Sequence, residues 1–487
     1  MARSRKSLLK QKTLSLFDEA DFAVQRVKPD DKQSGLRDFP AQTNETTRAG
    51  SKSANTLMEQ ALSSQNMREA LKRVERNKGA SGCDGMKVEE LRPYLLKHWK
   101  GLKASLLSGT YRPKPVRRVE IPKPAGGVRL LGIPCVLDRL IQQAVLQILT
   151  PVFDPHFSPS SYGFRPGKRG HDAVRKARDY VLEGYEWVVD IDLEKFFDRV
   201  NHDMLLARVA RRVSDKVLLG LIRQFLESGV LINGVVCASE EGTPQGGPLS
   251  PLLSNIVLDD LDKELESRGH KFVRYADDCN IYVRSLRAGE RVKSSITSYL
   301  SNRLHLRVNE SKSAVAPPWE RKFLGFSLLN HVKRHIRLAP QSSDKVKDKI
   351  RALTQRSRSV SMSERILKLN EYLGGWLGYF ALAETPSFFR NLDGWIRRRL
   401  RLCLWKQWKH GKTRARRLRA LGLSEHKVLM ATGSCKGYWR TVSCSAIHEA
   451  LNNAYWRGKG YVALYDRYLS IRQSWRTAVC GPACTVV

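Results

Sequence analysis

A chain of 487 residues is too long for one ordinary domain and suggests two to four. Lys and Arg number 85 against 48 Asp and Glu, a net charge of +37, which repels itself unless a polyanion is present; the usual polyanion is nucleic acid. An acidic membrane surface is the competing partner, and the sequence argues against it: it has no run of about eighteen apolar residues and its mean hydropathy is negative.

Residues 1–55 are rich in Lys, Arg, Gln, Ser and Thr without periodicity, and read as a basic, poorly structured extension. Their start, Met1 to Ser7, is basic but lacks the apolar core of a signal peptide; a mitochondrial-type presequence is the minority reading. Leu57, Ala61, Leu62, Met67, Leu71 and Val74 predict a helix over Thr56–Val74, which the run Gly79–Gly85 breaks. A second helix follows over Val88–Leu107. Val116–Ile121 alternates like a half-exposed strand, residues 122–127 turn, and Val128–Ile133 returns. Leu137–Leu149 is helical, stopped by Thr150-Pro151.

Trp187–Leu193 is a β-branched run containing two carboxylates, Asp190 and Asp192. Leu205–Val213, Leu218–Ser228 and Pro251–Arg268 carry helical periodicity. Phe272–Val283 is two short apolar runs around the polar corner Tyr275-Ala276-Asp277-Asp278, which predicts a tight hairpin. Beyond about Leu338 the composition shifts. Residues 341–487 hold 28 Lys plus Arg and 9 Asp plus Glu, a net of +19, with seven of the ten tryptophans, which places a domain boundary near Pro340. Ile366, Leu369, Leu373 and Leu377 open this domain with a helix. Arg397, Arg398, Arg399 and Arg401, then Lys412, Arg414, Arg416, Arg417 and Arg419, form dense basic faces whose interleaved aromatics can stack on unpaired bases. Nine scattered cysteines fit small buried groups in a reducing compartment rather than a disulfide framework, and Cys480 and Cys484 have no second pair for a zinc site.

The chemistry concentrates at the hairpin corner. Two adjacent acids flanked by apolar strands repel and are desolvated, and they call for a cation, typically Mg²⁺. Asp192, at the end of Trp187–Leu193, supplies a third acid. Such a trio suits two-metal, in-line attack of a hydroxyl on a phosphate.

The blocks Ile121-Pro122-Lys123-Pro124 with Arg129–Pro134 and Asp138-Arg139, Ser161–Gly167, Asp190–Asp198, Gly242–Pro251, Tyr275–Asp278 and Phe323–Phe326 occur in this order. Together they resemble a reverse transcriptase of the group II intron-encoded family, from about Asn66 to about Arg472. The resemblance implies an α/β (α+β) right-hand polymerase: fingers over 56–185, palm over 186–339 and a helical thumb/maturase domain over 340–487. It implies Asp192, Asp277 and Asp278 as catalytic and metal-binding acids, with Leu193 among the metal-binding positions and two Mg²⁺, replaceable by Mn²⁺, as cofactor. Asp192 rather than Asp190 is chosen because Phe196 and Phe197 follow it at the family's spacing, and Asp198 is then the cap of the next helix. Lys123 and Arg129 would hold the triphosphate. Phe197 would exclude a 2′-hydroxyl, Gln245 and Gly246 would floor the base-pair pocket, and Lys312 would face the leaving pyrophosphate.

Arg165, Tyr275, Leu324 and Gly325 would contact template and primer. Tyr372–Phe380 resembles the family's thumb/maturase region, where Arg397, Arg398, Arg399, Arg414, Arg416 and Arg417 would bind RNA. The implied partners are group II intron RNA, a primed RNA template, dNTPs and target DNA, in the cytoplasm, with monomer and homodimer both open. The sequence to Val487 shows no two Cys pairs and no His-Asn-His cluster, so the expectation is a member without a nuclease domain. The rival readings are a silent maturase that only folds RNA, and a free-standing retron-like or defence reverse transcriptase.

Overall fold

The computed structural model describes Phe17, 56–122, 127–232, 235–237, 242 and 246–479. The chain divides into two compact units, one of residues 1–173 with 189–315 and one of residues 174–188 with 316–487. The composition change at Pro340 thus falls inside the second unit.

In the first unit the predicted helix over Thr56–Val74 is two, Leu57–Ala61 and Ser64–Asn77. Thr56 and Glu59 form a capping box on the first, and Ser63 returns to extended backbone before the second. Met67, Ala70, Leu71 and Val74 bury one face of that second helix, which packs on the helix Val136–Phe153. The latter runs past the expected stop: Pro151 lies within it. Pro151 withdraws one helical donor, and the Thr150 hydroxyl donates to the Leu146 carbonyl at 2.6 Å, keeping that turn closed.

Strands β1 (Val116–Pro122) and β2 (Val128–Ile133) pair antiparallel as expected, with Arg118 opposite Gly132 and Ile121 opposite Arg129. β3 is Trp187–Ile191. Sequence periodicity misses β4 (Val230–Ile232) and β5 (Val235–Cys237), each only three residues long. They complete a sheet of order β2-β1-β4-β5, with β4 parallel to β1.

The second sheet has the order β6-β7-β3-β8. β6 (Lys271–Tyr275) and β7 (Asp278–Val283) are the predicted hairpin, and β8 is Ala314–Ala316. The helix Ser250–Ser267 packs on β6 and buries Leu252, Leu253, Ile256, Val257, Leu261 and Leu265. The helices expected over Leu205–Val213 and Leu218–Ser228 are His202–Ala210 and Lys216–Glu227.

The second unit contains the antiparallel pair β9 (Phe326–Leu328) and β10 (Ile336–Leu338). Helices follow, among them Pro340–Leu353, Met362–Phe380, Pro386–Gln407, Gly411–Ala420 and Leu464–Val479. Ile366, Leu369, Leu373 and Leu377 are buried along Met362–Phe380, as their spacing requires. Among the described residues, no helix is long and apolar enough to cross a membrane.

One buried acid gives the first unit a pH signature. Asp138, in the first turn of Val136–Phe153, is 2% exposed and accepts from the Tyr111 hydroxyl at 2.7 Å. Burial pushes its carboxyl up to about 6 from the ordinary 3.8, against the hydrogen bond from Tyr111. Between those values the folded chain holds a proton that the unfolded chain has released, so this group's contribution rises as pH falls through 6 and is lost as pH rises. From pH 7 to pH 5 wild type should gain about 1 kcal/mol over Asp138→Asn in denaturant unfolding. A stability difference between the two that stays flat across that window would refute this account.

Candidate active site

β6 and β7 pair Tyr275 with Asp278, so the connection is a two-residue turn of Ala276 and Asp277. Ala276 takes φ +58°, a left-handed conformation that costs a non-glycine residue about 1–2 kcal/mol. The surroundings hold it there. Arg274 is fully buried and donates through Nη1 to the Ala276 carbonyl at 2.9 Å. The same guanidinium reaches Asp262 from Nε at 2.7 Å and Nη2 at 2.5 Å, Asn255 at 3.0 Å and the Ser161 hydroxyl at 2.8 Å. Burial alone would lower this guanidinium; the Asp262 charge and hydrogen bonds outweigh it and raise it.

The loop Ser161-Tyr162-Gly163 docks on the same turn. The Tyr162 amide donates to the Arg274 carbonyl and the Arg274 amide to the Ser160 carbonyl, both at 2.9 Å. A Cβ at Gly163 would lie 2.2 Å from the Ala276 nitrogen, so only glycine fits. Asn255 also fixes this loop, donating to the Gly163 carbonyl at 2.8 Å.

Asp192 follows β3 and is tied at its backbone. Its amide donates to the Ser313 hydroxyl at 2.9 Å, and its carbonyl accepts from the Asn309 amide at 2.8 Å. Leu193 forms an antiparallel bridge with Val308. The bonds of that bridge run between Asp192 and Asn309 and between Glu194 and Arg307, so the Leu193 carbonyl is left outside the ladder. Lys312 Nζ lies 3.6 Å from Asp192 Oδ1.

Asp277 is half-buried and Asp278, opening β7, is exposed. Burial, then the charge of Asp192, lift the Asp277 carboxyl above the usual range, against its own backbone amide and the charges of Arg129 and Arg274. The fold therefore brings Asp192, Asp277, Arg129 and Lys312 into one electrostatic neighbourhood. Among the described residues no three His, Cys, Asp or Glu side chains form a ready-made cage for an ion. Asp277, raised by burial and by the charge of Asp192, together with that carboxylate and the neighbouring Leu193 carbonyl, is nonetheless a hard-oxygen donor set, which fits a divalent cation that draws its remaining ligands from water and phosphates.

Phe197 is half-buried, its ring centroid 5.3 Å from that of buried Phe196, in a short turn entered through Lys195 at φ +49°. A Cβ at Gly242 would lie 2.8 Å from the Phe197 carbonyl oxygen, and one at Gly246 2.6 Å from that of Gly132. Both ends of the Gly242–Gly246 stretch thus pack directly on backbone. Lys123 and Gln245 lie outside the described residues.

Asp198 does not cap the next helix: Asn201 does, accepting from the Met204 amide at 2.9 Å. Arg165 is tied into the protein itself. Its side chain is 7% exposed, pairs with Asp154 at 2.7 Å and donates to the Asp154, Ser158 and Ser161 carbonyls. Its donors are therefore used in shaping the loop that supports the hairpin turn. Tyr275 is half-buried, 6.4 Å from the ring of Phe164, and lines a cleft with Phe164, Lys168 and Gln147.

In the second unit Leu324 and Gly325 both have positive φ within a turn closed by reciprocal Phe323–Phe326 hydrogen bonds. The Tyr379 hydroxyl holds the Leu324 carbonyl at 2.9 Å, and that of Ser342 the Gly325 carbonyl at 2.9 Å. Arg397 pairs with Asp393, Arg398 stacks 3.9 Å over Trp439, and Arg399 donates to the Thr354 hydroxyl at 2.6 Å. These three are partly structural, whereas Arg416 and Arg417 are exposed and Arg414 lies 4.8 Å over Trp405. Trp405 and Trp456 are fully buried, so they build the core instead of offering platforms for bases.

Residues 121–328 match the family described as reverse transcriptase (RNA-dependent DNA polymerase), and residues 343–422 match the group II intron, maturase-specific domain. Protein YkfC of Escherichia coli (strain K12) is 34% identical over 279 residues, 49% of this chain and 73% of that protein. The group II intron-encoded protein LtrA of Lactococcus lactis subsp. cremoris is 38% identical over 206 residues, 41% of this chain and 33% of LtrA. A chain of a solved Cas6-RT-Cas1–Cas2 complex is 26% identical, with a TM-score of 0.34, covering 51% of this chain and 43% of that one. The chain belongs to the group II intron-encoded family, an RNA-directed DNA polymerase domain followed by a maturase domain.

The ring of contacts around Arg274 was not legible as a site, and it is testable. Arg274→Met leaves the Asp262 carboxylate buried and uncompensated and should cost about 3–5 kcal/mol. Pairing it with Asp262→Leu should restore most of that stability, read from the denaturation midpoint. The double variant still lacks the donor to the Ala276 carbonyl, so its primer extension should stay well below wild type. Wild-type extension by a restored double variant would mean that the turn holds its own shape.

Proposed function

We propose that this protein copies its intron RNA into DNA from a primer and, through the second unit, binds that RNA to assist splicing and mobility. The observation that carries the reading is the confrontation of Asp277 with Asp192, next to Lys312 and within reach of the Arg129 charge. Asp192, Asp277 and Asp278, with the Leu193 carbonyl, would hold two Mg²⁺, or Mn²⁺ in their place. When bound, the ions would activate a primer 3′-hydroxyl and neutralise the departing pyrophosphate.

The remaining work falls to the chain's own groups. Arg129, exposed on β2, and Lys123 would grip the triphosphate of an incoming dNTP, Arg129 by its bidentate fork. Lys312 holds the Asp192 carboxylate from the open side and would turn to the leaving phosphates. Gln245 and Gly246 would floor the base pair, where a glycine against the Gly132 carbonyl leaves the backbone thin. Phe197, braced by Phe196 and Gly242, would lie beneath the sugar. Tyr275, Leu324 and Gly325 are the proposed template and primer contacts. Arg414, Arg416 and Arg417 are the proposed RNA contacts of the second unit, with 56–185 as fingers, 186–339 as palm and 340–487 as thumb and maturase domain. Target DNA would be a further polyanionic partner, and the unpaired thiols among the described cysteines fit a cytoplasmic setting.

Asp277→Ala and Asp192→Ala should each reduce primer extension below detection while RNA affinity stays within a few-fold, because the basic surface is untouched. Extension by Asp277→Ala at the wild-type rate would sink the assignment. A dead Asp190→Ala beside an active Asp192→Ala would move the metal-binding acid two residues upstream.

Phe197→Val or Phe197→Ala should admit ribonucleotides, since the space beneath the sugar opens. Extension with NTPs against dNTPs reads this directly, and unchanged discrimination would leave Phe197 a packing residue only.

A further inference from the structure

The second unit contains a cleft of about 720 Å³ whose lining includes Trp395, Arg397, Arg398, Arg401, Ser443 and His448. One wall is the helix Pro386–Gln407, where residues 394, 397, 398 and 401 recur at spacings of three and four and so share a face. None of the lining residues is acidic. The neighbouring carboxylate, Asp393, is already engaged by Arg397, by the Tyr461 hydroxyl at 2.6 Å and by the Leu464 amide at 3.1 Å.

The three arginines are unequally satisfied. Arg397 has Asp393. Arg398 lies over Trp439 and donates to its carbonyl at 2.8 Å. Arg401 is 6% exposed, and its Nη1 reaches the Leu451 carbonyl only at 3.4 Å. The Nε–H groups of both Arg398 and Arg401 are buried with no acceptor among the described residues. A guanidinium carries five donors, and burying its charge without a counter-ion is among the costliest arrangements in a protein. The neighbours register the excess. Burial first, then Arg397 and Arg398, push Arg401 down to about 10. Burial and then Arg401, Arg398 and Arg397 hold the His448 imidazole below its ordinary value.

We propose that this cleft is an anion site that receives a phosphate group of RNA, with the Arg401 guanidinium as its buried floor and Arg398 at its side. The inference rests on the reading of this unit as RNA-binding and adds to it a recessed, single-phosphate contact distinct from the exposed basic faces. A phosphate supplies acceptor oxygens to the unanswered Nε–H groups and the missing negative charge at once.

The test compares the full-length protein with Arg401→Met in two assays. The first follows thermal unfolding in millimolar inorganic phosphate at fixed ionic strength. The wild-type midpoint should rise with phosphate. Arg401→Met should start at an equal or higher midpoint without phosphate, because an uncompensated buried charge is gone, and should not respond. The second assay titrates parent intron RNA at several salt concentrations. Arg401→Met should weaken binding about tenfold and reduce the salt slope by roughly 0.7–0.9, the signature of one lost phosphate contact.

Equal phosphate responses in the two proteins would overturn the anion site. A phosphate response lost in Arg401→Met with RNA binding intact would make it a site for free phosphate and overturn the RNA assignment. A wild-type protein that binds intron RNA no better than a generic single strand would defeat the underlying RNA-binding reading, a result visible without any variant.

Discussion

The polymerase site depends on an ion pair that no substrate can touch. Arg274 and Asp262 are both without solvent exposure, and the Arg274 guanidinium serves four partners on three segments. One fork meets Asp262 on the helix Ser250–Ser267, one arm meets Asn255 about two turns earlier, and others reach the Ser161 hydroxyl and the Ala276 carbonyl. Buried pairs contribute little net stability, because desolvation offsets their attraction. What this one provides is position. It fixes an alanine in a left-handed turn, and that turn aims Asp277 toward Asp192.

The second unit uses its positive charge differently from what its composition suggests. Much of that charge is structural. Arg365, 2% exposed, donates to the carbonyls of Leu353, Gln355 and Arg358, and Arg399 reaches those of Arg351 and Thr354. These are the last carbonyls of the helix Pro340–Leu353 and the chain just beyond it, groups that a helix end leaves without partners. Arginine here acts as a cap delivered from neighbouring helices. A net charge therefore overstates the number of cations free to meet RNA.

Local pattern made the hairpins and the acids legible. Alternation and a polar corner located β1, β2, β6 and β7, whereas the choice of Asp192 over Asp190 came from the resemblance to the family, in which two aromatics follow the acid as Phe196 and Phe197 do here. What sequence could not supply were contacts between distant segments. Arg274 reads as a surface residue of a strand until Asp262, 12 residues away, and Ser161, 113 residues away, are brought to it. The aromatics interleaved with the basic runs read as stacking platforms, yet Trp405 and Trp456 are buried, because composition does not say which helix face is turned inward. β4 and β5 were too short to carry a period, and Asn201 caps a helix that begins at His202, three residues ahead of the expected Leu205.

The separations that conceal the site from sequence also order its assembly. At a synthesis rate of about 5–20 residues per second, roughly 6–23 s separate the emergence of Gly163 from that of Ala276, and Asn309 and Ser313 follow later still. Until then the loop that only glycine can complete has nothing to close upon, and the end of β3 lacks the partners that tie Asp192 in place. Contacts this distant form slowly. The carboxylate site of a nascent chain therefore stays incomplete until residues near 313 have emerged.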